Sequence, residues 1–309
     1  MKYIGLQNQI NRNNTKSILV LLAFPLVILL GIYAFFFFTY MPYYDEVNTN
    51  FLMTVPFVIG GVGLWFLIAF KFHGSLIKLS TKSTTLSRKE NMRVYNLTEN
   101  LCISVGMTMP KLHVIQSPAL NAFASGLNEK TFSVTLTTGI IETLSDIELE
   151  GVIAHELSHI RNKDVRLLII SIIFVGILGF LVSMLFRSLF YGRAGRSKDS
   201  KIDGRAILIA LAIGLVVYFL TILFKFALSR KREYLADASA VEITKNPMAM
   251  ASALRKISGN HELDVKSDDV KQMFIENGKP KKQNVLSKFM SLFATHPPIE
   301  KRIAVLEQM

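Results

Sequence analysis

Residues 155–159 read His-Glu-Leu-Ser-His, and they carry the side chains best suited to chemistry in this chain. If the segment is helical, His155 and His159 lie about 40° apart around the helix and face the same side. Two neutral imidazoles one turn apart can bind the same zinc ion. Glu156 lies near enough to that face to act as a base toward a water molecule beside the metal. The spacing therefore predicts a zinc site with His155 and His159 as ligands and Glu156 as the catalytic base.

A third protein ligand for zinc must come from elsewhere in the chain. The metzincin class is excluded, because the places of its glycine and third histidine hold Asn162 and Val165. Downstream, Glu233 and Asp237 lie one turn apart in a segment expected to be helical. Glu233 could bind zinc, and Asp237 could accept a hydrogen bond from a ligand histidine. Glu233 could equally form a surface ion pair with a neighbouring arginine, and the spacing alone does not decide between the two.

The elements that position these residues can also be predicted. Ser145 followed by Glu148 is typical of a capping box, so a helix is expected over 146–162. Residues 112–115 and 131–137 have the composition of short strands. The second of these strands is expected to hold an extended substrate as an added strand. Helices are also expected over 74–105 and 229–244, and a further one from Asn246-Pro247 to Gly259.

The composition places the chain in a membrane. Half of its 309 residues are hydrophobic, and 19% are charged against about 25% in soluble proteins. A single cysteine excludes a disulfide scaffold. The net charge of +12 suits cytoplasmic loops beside anionic lipid. No recognition motif accompanies this charge, so a nucleic-acid partner is not expected.

Four apolar runs approach the length of about 20 residues that a bilayer-spanning helix needs. They cover residues 17–40, 51–70, 167–186 and 206–224. The N-terminal tail carries three cations, whereas the loop 41–50 carries none, so the tail is expected inside and the loop outside. Residues 71–164 are then cytoplasmic. The last two runs form a hairpin that either crosses the membrane fully, which we favour, or dips and returns.

The chain is accordingly divided into four parts. They are an anchor (1–72), the first half of a catalytic domain (73–164), a membrane hairpin (165–228) and the second half of that domain (229–309). A hairpin returns its two ends to the same side of the membrane. His159 and Glu233 can therefore meet at the cytoplasmic surface, whichever hairpin arrangement applies.

At this point the chain resembles the HtpX-type family of bacterial membrane zinc metalloproteases, which is related to the CAAX prenyl protease. Besides 155–159, the resemblance rests on three motifs, at 121–126 (Asn-Ala-Phe-Ala-Ser-Gly), 232–237 (Arg-Glu-Tyr-Leu-Ala-Asp) and 295–303 (Thr-His-Pro-Pro-Ile-Glu-Lys-Arg-Ile). It covers nearly the whole chain. The resemblance implies that Glu233 is the third ligand of one Zn²⁺ per chain. It also makes Asp237 and His296 candidates for contacts to a ligand or to the transition state.

The resemblance also implies a fold and a role. The expected fold is mainly α, with four transmembrane helices and a cytoplasmic α+β, gluzincin-like domain built from two segments. The expected activity is an endopeptidase of the bacterial inner membrane that cleaves misfolded or damaged membrane proteins under stress. Two alternatives stay open, namely a CAAX-like endopeptidase for prenylated proteins and a non-proteolytic chaperone or scaffold with structural zinc. The sequence predicts no oligomeric state.

Overall fold

The structure is a computed structural model that describes residues 6–191, 208–216, 218, 230–258, 275 and 297–309. It divides into two compact units. One comprises residues 1–14, 72–169 and 226–309, and the other comprises residues 15–71 and 170–225. We call the first the mixed unit, because it contains helices and strands, and the second the helical unit.

The helical unit is built on long apolar helices: α1 (Leu6–Tyr40), α2 (Tyr44–Thr81) and α6 (Asp164–Tyr191). Inside it, the ring of Phe174 stacks on Phe24 with centroids 3.9 Å apart, and on Phe66 with centroids 5.5 Å apart. Other large side chains of the unit face outward, and Phe57 is 81% exposed. An apolar surface of this kind suits contact with lipid.

Two helices in the described part of the chain are long and apolar enough to cross a membrane, Leu22–Tyr40 and Tyr44–Thr81. The second predicted span (51–70) falls within Tyr44–Thr81, and the first (17–40) overlaps Leu22–Tyr40 but was predicted to begin earlier. The third predicted span lies inside α6, which is not among these candidates. Of the fourth, residues 208–216 are helical, and most of the rest lies outside the described residues. The membrane character of the chain is therefore supported, and four spans stay a prediction.

Two predicted boundaries in the first part of the chain are wrong. The loop expected at 41–50 is short, because α2 already begins at Tyr44. The helix expected over 74–105 is interrupted between α2 and α3 (Met92–Ser104) by β1 (Thr84–Thr85). Lys82 ends α2 in the left-handed region, with φ of 54°. The side chain of Asn91 then caps the new helix by accepting from the Val94 N–H.

The mixed unit contains a sheet, whose further strands are β2 (Lys111–Ile115), β3 (Ala122–Ser125) and β4 (Ser133–Thr137). The described strands lie in the order β1-β2-β4-β3, and β4 runs parallel to β2 and antiparallel to β3. The two predicted strands are thus confirmed. The role expected for the second is wrong, because both edges of β4 are already paired. β3, which was not predicted as a strand, lies at the edge of the sheet.

The helices of the mixed unit surround one central helix, α5 (Asp146–Arg161), which begins at the predicted capping box. Ser145 N–H donates to Glu148 Oε2 over 2.9 Å. Most residues of α5 are buried, and the helix contacts α3, α7, α8 and β3. The remaining helices are α4 (Thr138–Thr143), α7 (Arg230–Thr244), α8 (Pro247–Ile257) and α9 (Ile299–Leu306). The helices predicted at 146–162, at 229–244 and after Asn246 are confirmed within a few residues.

Glu148 fixes the first turn of α5 to helix α8. Ser252 Oγ donates to Glu148 Oε1, and Lys256 Nζ donates to Glu148 Oε2, each over 2.7 Å. Burial alone raises the pKa of Glu148, but the hydrogen bonds from Lys256, Ser252 and Ser145 outweigh it and lower the pKa to about 2. This carboxylate is therefore charged and fully bonded within the protein.

Arg93 on α3 fixes the same end of α5 from the other side. Its Nε donates to Asp146 Oδ1 over 2.5 Å. Its two terminal nitrogens donate to the carbonyl oxygens of Ile141 and Leu144 over 2.6 and 2.7 Å. The start of the helix that carries His155 is therefore held by two neighbouring helices.

Candidate metal centre

The predicted ligands converge at the other end of α5. His155 and His159 project from its last turns, and their Nε2 atoms lie 3.2 Å apart. Glu233, in the first turn of α7, places Oε2 3.7 Å from His155 Nε2 and Oε1 3.6 Å from His159 Nε2. The three residues form a group able to hold one metal ion.

The geometry and chemistry of this group fit zinc. Tetrahedral zinc with nitrogen and oxygen ligands at about 2.0–2.2 Å places neighbouring ligand atoms about 3.3–3.6 Å apart. The three separations in the group are 3.2, 3.6 and 3.7 Å. Two imidazole nitrogens and one carboxylate are also the donor set of a catalytic zinc site with one further position for water or substrate.

Both imidazoles are oriented by carboxylates on their far side. His155 Nδ1 lies 2.9 Å from Asp237 Oδ1, and His159 Nδ1 lies 3.3 Å from Asp164 Oδ2. A hydrogen on each Nδ1 leaves the lone pair of each Nε2 directed toward the other ring and Glu233. Both lone pairs then point to the space between the two rings and Glu233, where a metal ion would bind.

Asp164 was missed in the sequence, although the local chain path explains its position. α5 ends at Arg161, Lys163 adopts the left-handed region with φ of 58°, and α6 begins at Asp164. This tight turn brings the carboxylate back to His159. The sequence does place a carboxylate five residues after the second histidine. Its contact with His159 could be predicted only if the turn at Lys163 were known.

Glu156 is buried between α5 and β3, with 2% of its surface exposed. Burial raises its pKa, while the neighbouring histidines at 155 and 159 act in the opposite direction. The backbone N–H of Ala124 on β3 donates to its carboxylate. A carboxyl with a raised pKa beside two candidate metal ligands is suited to accept and return a proton.

Arg302 on α9 is the other residue of the centre that sequence reasoning did not assign. It is 1% exposed, and its Nε and Nη2 donate to Asp237 Oδ2 and Oδ1 over 2.8 and 2.6 Å. Burial raises the pKa of Asp237, but the Arg302 charge outweighs it and lowers the pKa to about 2. The motif at 295–303 contained this arginine without indicating its contact.

The described residues of the centre carry excess negative charge. Four carboxylates lie around the two histidines (Glu156, Asp164, Glu233, Asp237), and two guanidiniums contact them (Arg232, Arg302). The same excess acts on His155: burial lowers its pKa, but hydrogen bonds with Asp237 and Glu233 prevail and raise it to about 9.

The structure therefore brings together Glu156, His155, His159, Glu233 and Asp237, all of which the sequence marked as candidates. His296, the remaining candidate, lies outside the described residues.

Comparisons with known proteins agree with this geometry. The model of a family described as peptidase family M48 matches residues 88–309. A protease HtpX homolog of Bacteroides fragilis is 50% identical over 321 aligned positions, which cover 100% of each chain. A protease HtpX homolog of Tropheryma whipplei is 38% identical over 243 residues, covering 78% of this chain and 81% of that protein.

A solved structure extends the likeness to the fold. The crystal structure of S. mikatae Ste24p matches with a TM-score of 0.50 and 20% identity, covering 96% of this chain and 66% of that one. At this identity the match shows the fold alone. M48 peptidases are zinc-dependent, which agrees with the His-His-Glu group. From the family match and the full-length relatives, we conclude that the chain belongs to peptidase family M48 and is a membrane metalloprotease of the HtpX type.

Proposed function

We propose that this protein is a zinc endopeptidase in which His155, His159 and Glu233 bind a single Zn²⁺ per chain. The observation that carries the proposal is the convergence of these three side chains around one point, beside the buried carboxyl of Glu156. When bound, zinc supplies Lewis acidity, which polarises the scissile carbonyl and makes water a stronger acid.

Glu156 is the proposed general base and acid. Its carboxylate takes a proton from the attacking water and later delivers that proton to the nitrogen of the leaving amine. Its burial favours the protonated form, which makes the carboxylate a stronger base toward the attacking water. The Ala124 N–H keeps the carboxylate facing β3. The protein thereby holds the proton carrier next to a strand along which a peptide could lie.

The edge of β3 is the proposed binding strand for the substrate, in place of β4. Among the described strands, β3 pairs with β4 alone, and Ala124 on this strand lies beside Glu156. On the other side, within the described part of the chain, Ile275 N–H donates to Ala122 O over 3.0 Å. A peptide added there would pair through its backbone, and this mode of binding suits broad specificity.

The proposed substrates are misfolded or damaged membrane proteins, cleaved at the cytoplasmic face of the bacterial inner membrane under stress. The apolar helices, the basic N-terminal tail and the resemblance to the HtpX-type family support this role. The proposal retains four membrane spans and the division into 1–72, 73–164, 165–228 and 229–309. A prenylated substrate is not proposed, since the likeness to Ste24p concerns the fold.

A structural zinc site in a non-proteolytic scaffold is the less supported function. Structural sites are closed by four protein ligands. In the described part of the chain, the group consists of three ligands with a buried carboxyl beside them. Family membership also favours the protease.

Cleavage of an unfolded membrane protein by the purified full-length chain in detergent tests the proposal. Activity should disappear after chelation and return with Zn²⁺. Glu156→Gln keeps the size of the side chain but removes the base. It should bind zinc as the wild type does, with turnover lowered by at least about 100-fold. Normal cleavage by this variant would show that the assigned mechanism is wrong.

The proposed topology has a separate test. After Cys102→Ala, a cysteine replaces Ser197, in the sequence between the last two predicted spans. A hairpin that crosses the membrane puts this position outside, where a membrane-impermeant thiol reagent labels it in intact cells. Labelling only after lysis would contradict the crossing hairpin and leave the zinc site unaffected.

A further inference from the structure

We propose that Arg302 is a positioning residue of the metal centre, which orients His155 toward zinc by fixing the carboxylate of Asp237. The inference rests on the proposed function, because it assumes that His155 binds the metal. It adds a third layer to the site: the metal ligand, the carboxylate behind it, and the guanidinium that holds the carboxylate in place.

The contacts form a continuous chain from α9 to α5. Arg302 engages both oxygens of Asp237, with Nε 2.8 Å from Oδ2 and Nη2 2.6 Å from Oδ1. A carboxylate held at both oxygens cannot rotate about its terminal bond without breaking a hydrogen bond. Asp237 Oδ1, one of the held atoms, also lies 2.9 Å from His155 Nδ1. The fixed carboxylate therefore lies directly behind the imidazole ring, and Arg302 Nη2 itself lies 3.4 Å from His155 Nε2.

Arg302 is itself held from a second direction. Its Nη1 donates to the carbonyl oxygen of Ile275 over 3.3 Å and lies 3.4 Å from Glu233 Oε2. The guanidinium therefore has contacts on Nε and on both terminal nitrogens. Its orientation is fixed by Asp237, Ile275 and Glu233 together. A lysine offers one point of charge in place of this planar fork, so it cannot hold both oxygens of Asp237 in the same way.

A purely structural role does not account for a charge at this position. Burying an arginine is unfavourable unless its partners compensate for the lost water. α7 and α9 are in contact, and both helices also have buried apolar residues, such as Ala236 and Ala240 on α7 and Leu306 on α9. An apolar residue at 302 would join the two helices without that desolvation cost. The side chain that is present instead matches the carboxylate beside a metal ligand.

The chain offers a matched control in an arginine that also pairs with a carboxylate near α9. Arg255 on α8 pairs with Glu307, which follows α9, and their side chains are 47% and 40% exposed. This pair joins α8 to the end of α9 at the surface, where an ion pair contributes little. Arg255→Lys therefore makes the same chemical change as Arg302→Lys, outside the metal centre.

The experiment measures Zn²⁺ affinity by competition with a chelator and the visible absorption of the Co²⁺-loaded protein, for the full-length chain in detergent. Arg302→Lys should lower Zn²⁺ affinity roughly 10–100-fold, the range typical of residues behind a metal ligand. It should also change the Co²⁺ spectrum, because the angle of His155 changes. Arg255→Lys should match the wild type in both measurements.

A double variant shows whether Arg302 affects zinc binding through Asp237 or by another route. If Arg302 acts through Asp237, then Asp237→Asn combined with Arg302→Lys should lose no more affinity than Asp237→Asn alone. Additive losses would show that Arg302 acts on the metal by another route. An Arg302→Lys protein with a lower melting temperature but wild-type affinity and spectrum would show a merely structural arginine.

Asp237→Asn keeps the test decisive if Arg302→Lys does not fold. It preserves the shape of the side chain and breaks the charged fork from the other partner. We expect the same spectral change, and a wild-type spectrum and affinity would overturn the proposal. A failure of the proposed function would give a different result. In that case the wild-type chain itself would not bind Zn²⁺ through Glu233, whatever the residue at position 302.

Discussion

The carboxylates at the two ends of helix α5 are compensated in different ways. At the first turn, Glu148 receives bonds from Lys256, Ser252 and the capping box, and Asp146 receives the Arg93 side chain. At the last turns, four carboxylates surround two histidines, and two guanidiniums contact them.

One helix can therefore be held in place at its first turn and carry the candidate metal ligands at its last turns. The first turn is balanced by the protein itself, so it needs no further ion and holds the helix in register. At the last turns, carboxylates outnumber guanidiniums among the described residues, and carboxylates beside two imidazoles favour a divalent cation. If this comparison is correct, substitutions at one end should change metal binding, and substitutions at the other should change stability alone.

The largest effect is expected from Glu233→Ala, which removes one proposed ligand and one negative charge. Zinc content of the purified protein should fall from near one ion per chain to near zero, and cleavage should fall to background. Metal analysis after dialysis measures the first. Glu242→Ala, at an exposed position on the same helix, is the control and should keep its zinc. Full zinc content in Glu233→Ala would leave the third ligand unidentified.

A smaller effect is expected behind the two histidines. Asp237→Asn should weaken zinc binding roughly 10–100-fold, and Asp164→Asn should fall near the lower end of that range. Asp164 lies farther from its histidine, at 3.3 Å against 2.9 Å, and the His159 side chain is 14% exposed against 1% for His155. Chelator competition measures both variants, and the reverse order would contradict the ranking by distance and burial.

At the opposite end, Glu148→Gln should leave zinc affinity unchanged and lower the unfolding free energy. Losing charge-assisted hydrogen bonds in a buried site costs about 1.5–3 kcal/mol. Hydrogen exchange of the buried α5 amides, with chelator present, reports this free energy. Glu150→Gln, two residues further along α5 and only partly buried, should have little effect. A change in zinc affinity with Glu148→Gln would mean that the two ends are coupled.

The smallest effect is a pH dependence of that difference. The folded protein lowers the pKa of Glu148 from 4.5 to about 2, since its hydrogen bonds outweigh burial. The stabilisation is therefore complete above pH 4.5 and is lost as the pH falls toward 2. The excess stability of the wild type over Glu148→Gln should shrink over this interval, measured without metal. A constant difference would contradict the lowered pKa.

Much of this arrangement could be predicted because its signals are local. The capping box at Ser145 and the spacing of His155 and His159 specify α5 and its reactive face within a few residues. β4 was found from its alternating pattern, and the start of α8 from Asn246-Pro247. The signal for each of these features lies within fewer than about ten consecutive residues. At this range, periodicity and capping determine the local structure directly.

The missed features depend on contacts that no local pattern contains. β3 is four residues long, and all four are buried, so it shows no alternation. Its pairing with β4 makes it a strand and leaves β4 without a free edge. Arg302 meets His155 across 147 positions of sequence. Asp164 needs the left-handed turn at Lys163. Three-dimensional packing decides each of these outcomes.

The proposed zinc ligands are far apart in the sequence, so they are synthesised at different times. The ribosome delivers the histidine pair first, then the apolar stretch that follows it, and only afterwards Glu233 and Arg302. Two imidazoles alone hold zinc weakly, because the remaining ligand and its supporting residues are not yet made. If these residues bind zinc as proposed, a nascent chain is expected to lack proteolytic activity before Glu233 and Arg302 have been synthesised. Zinc-dependent cleavage then requires the segment that carries Glu233 and Arg302 to fold against α5. Completion of synthesis would therefore control when the protease becomes active.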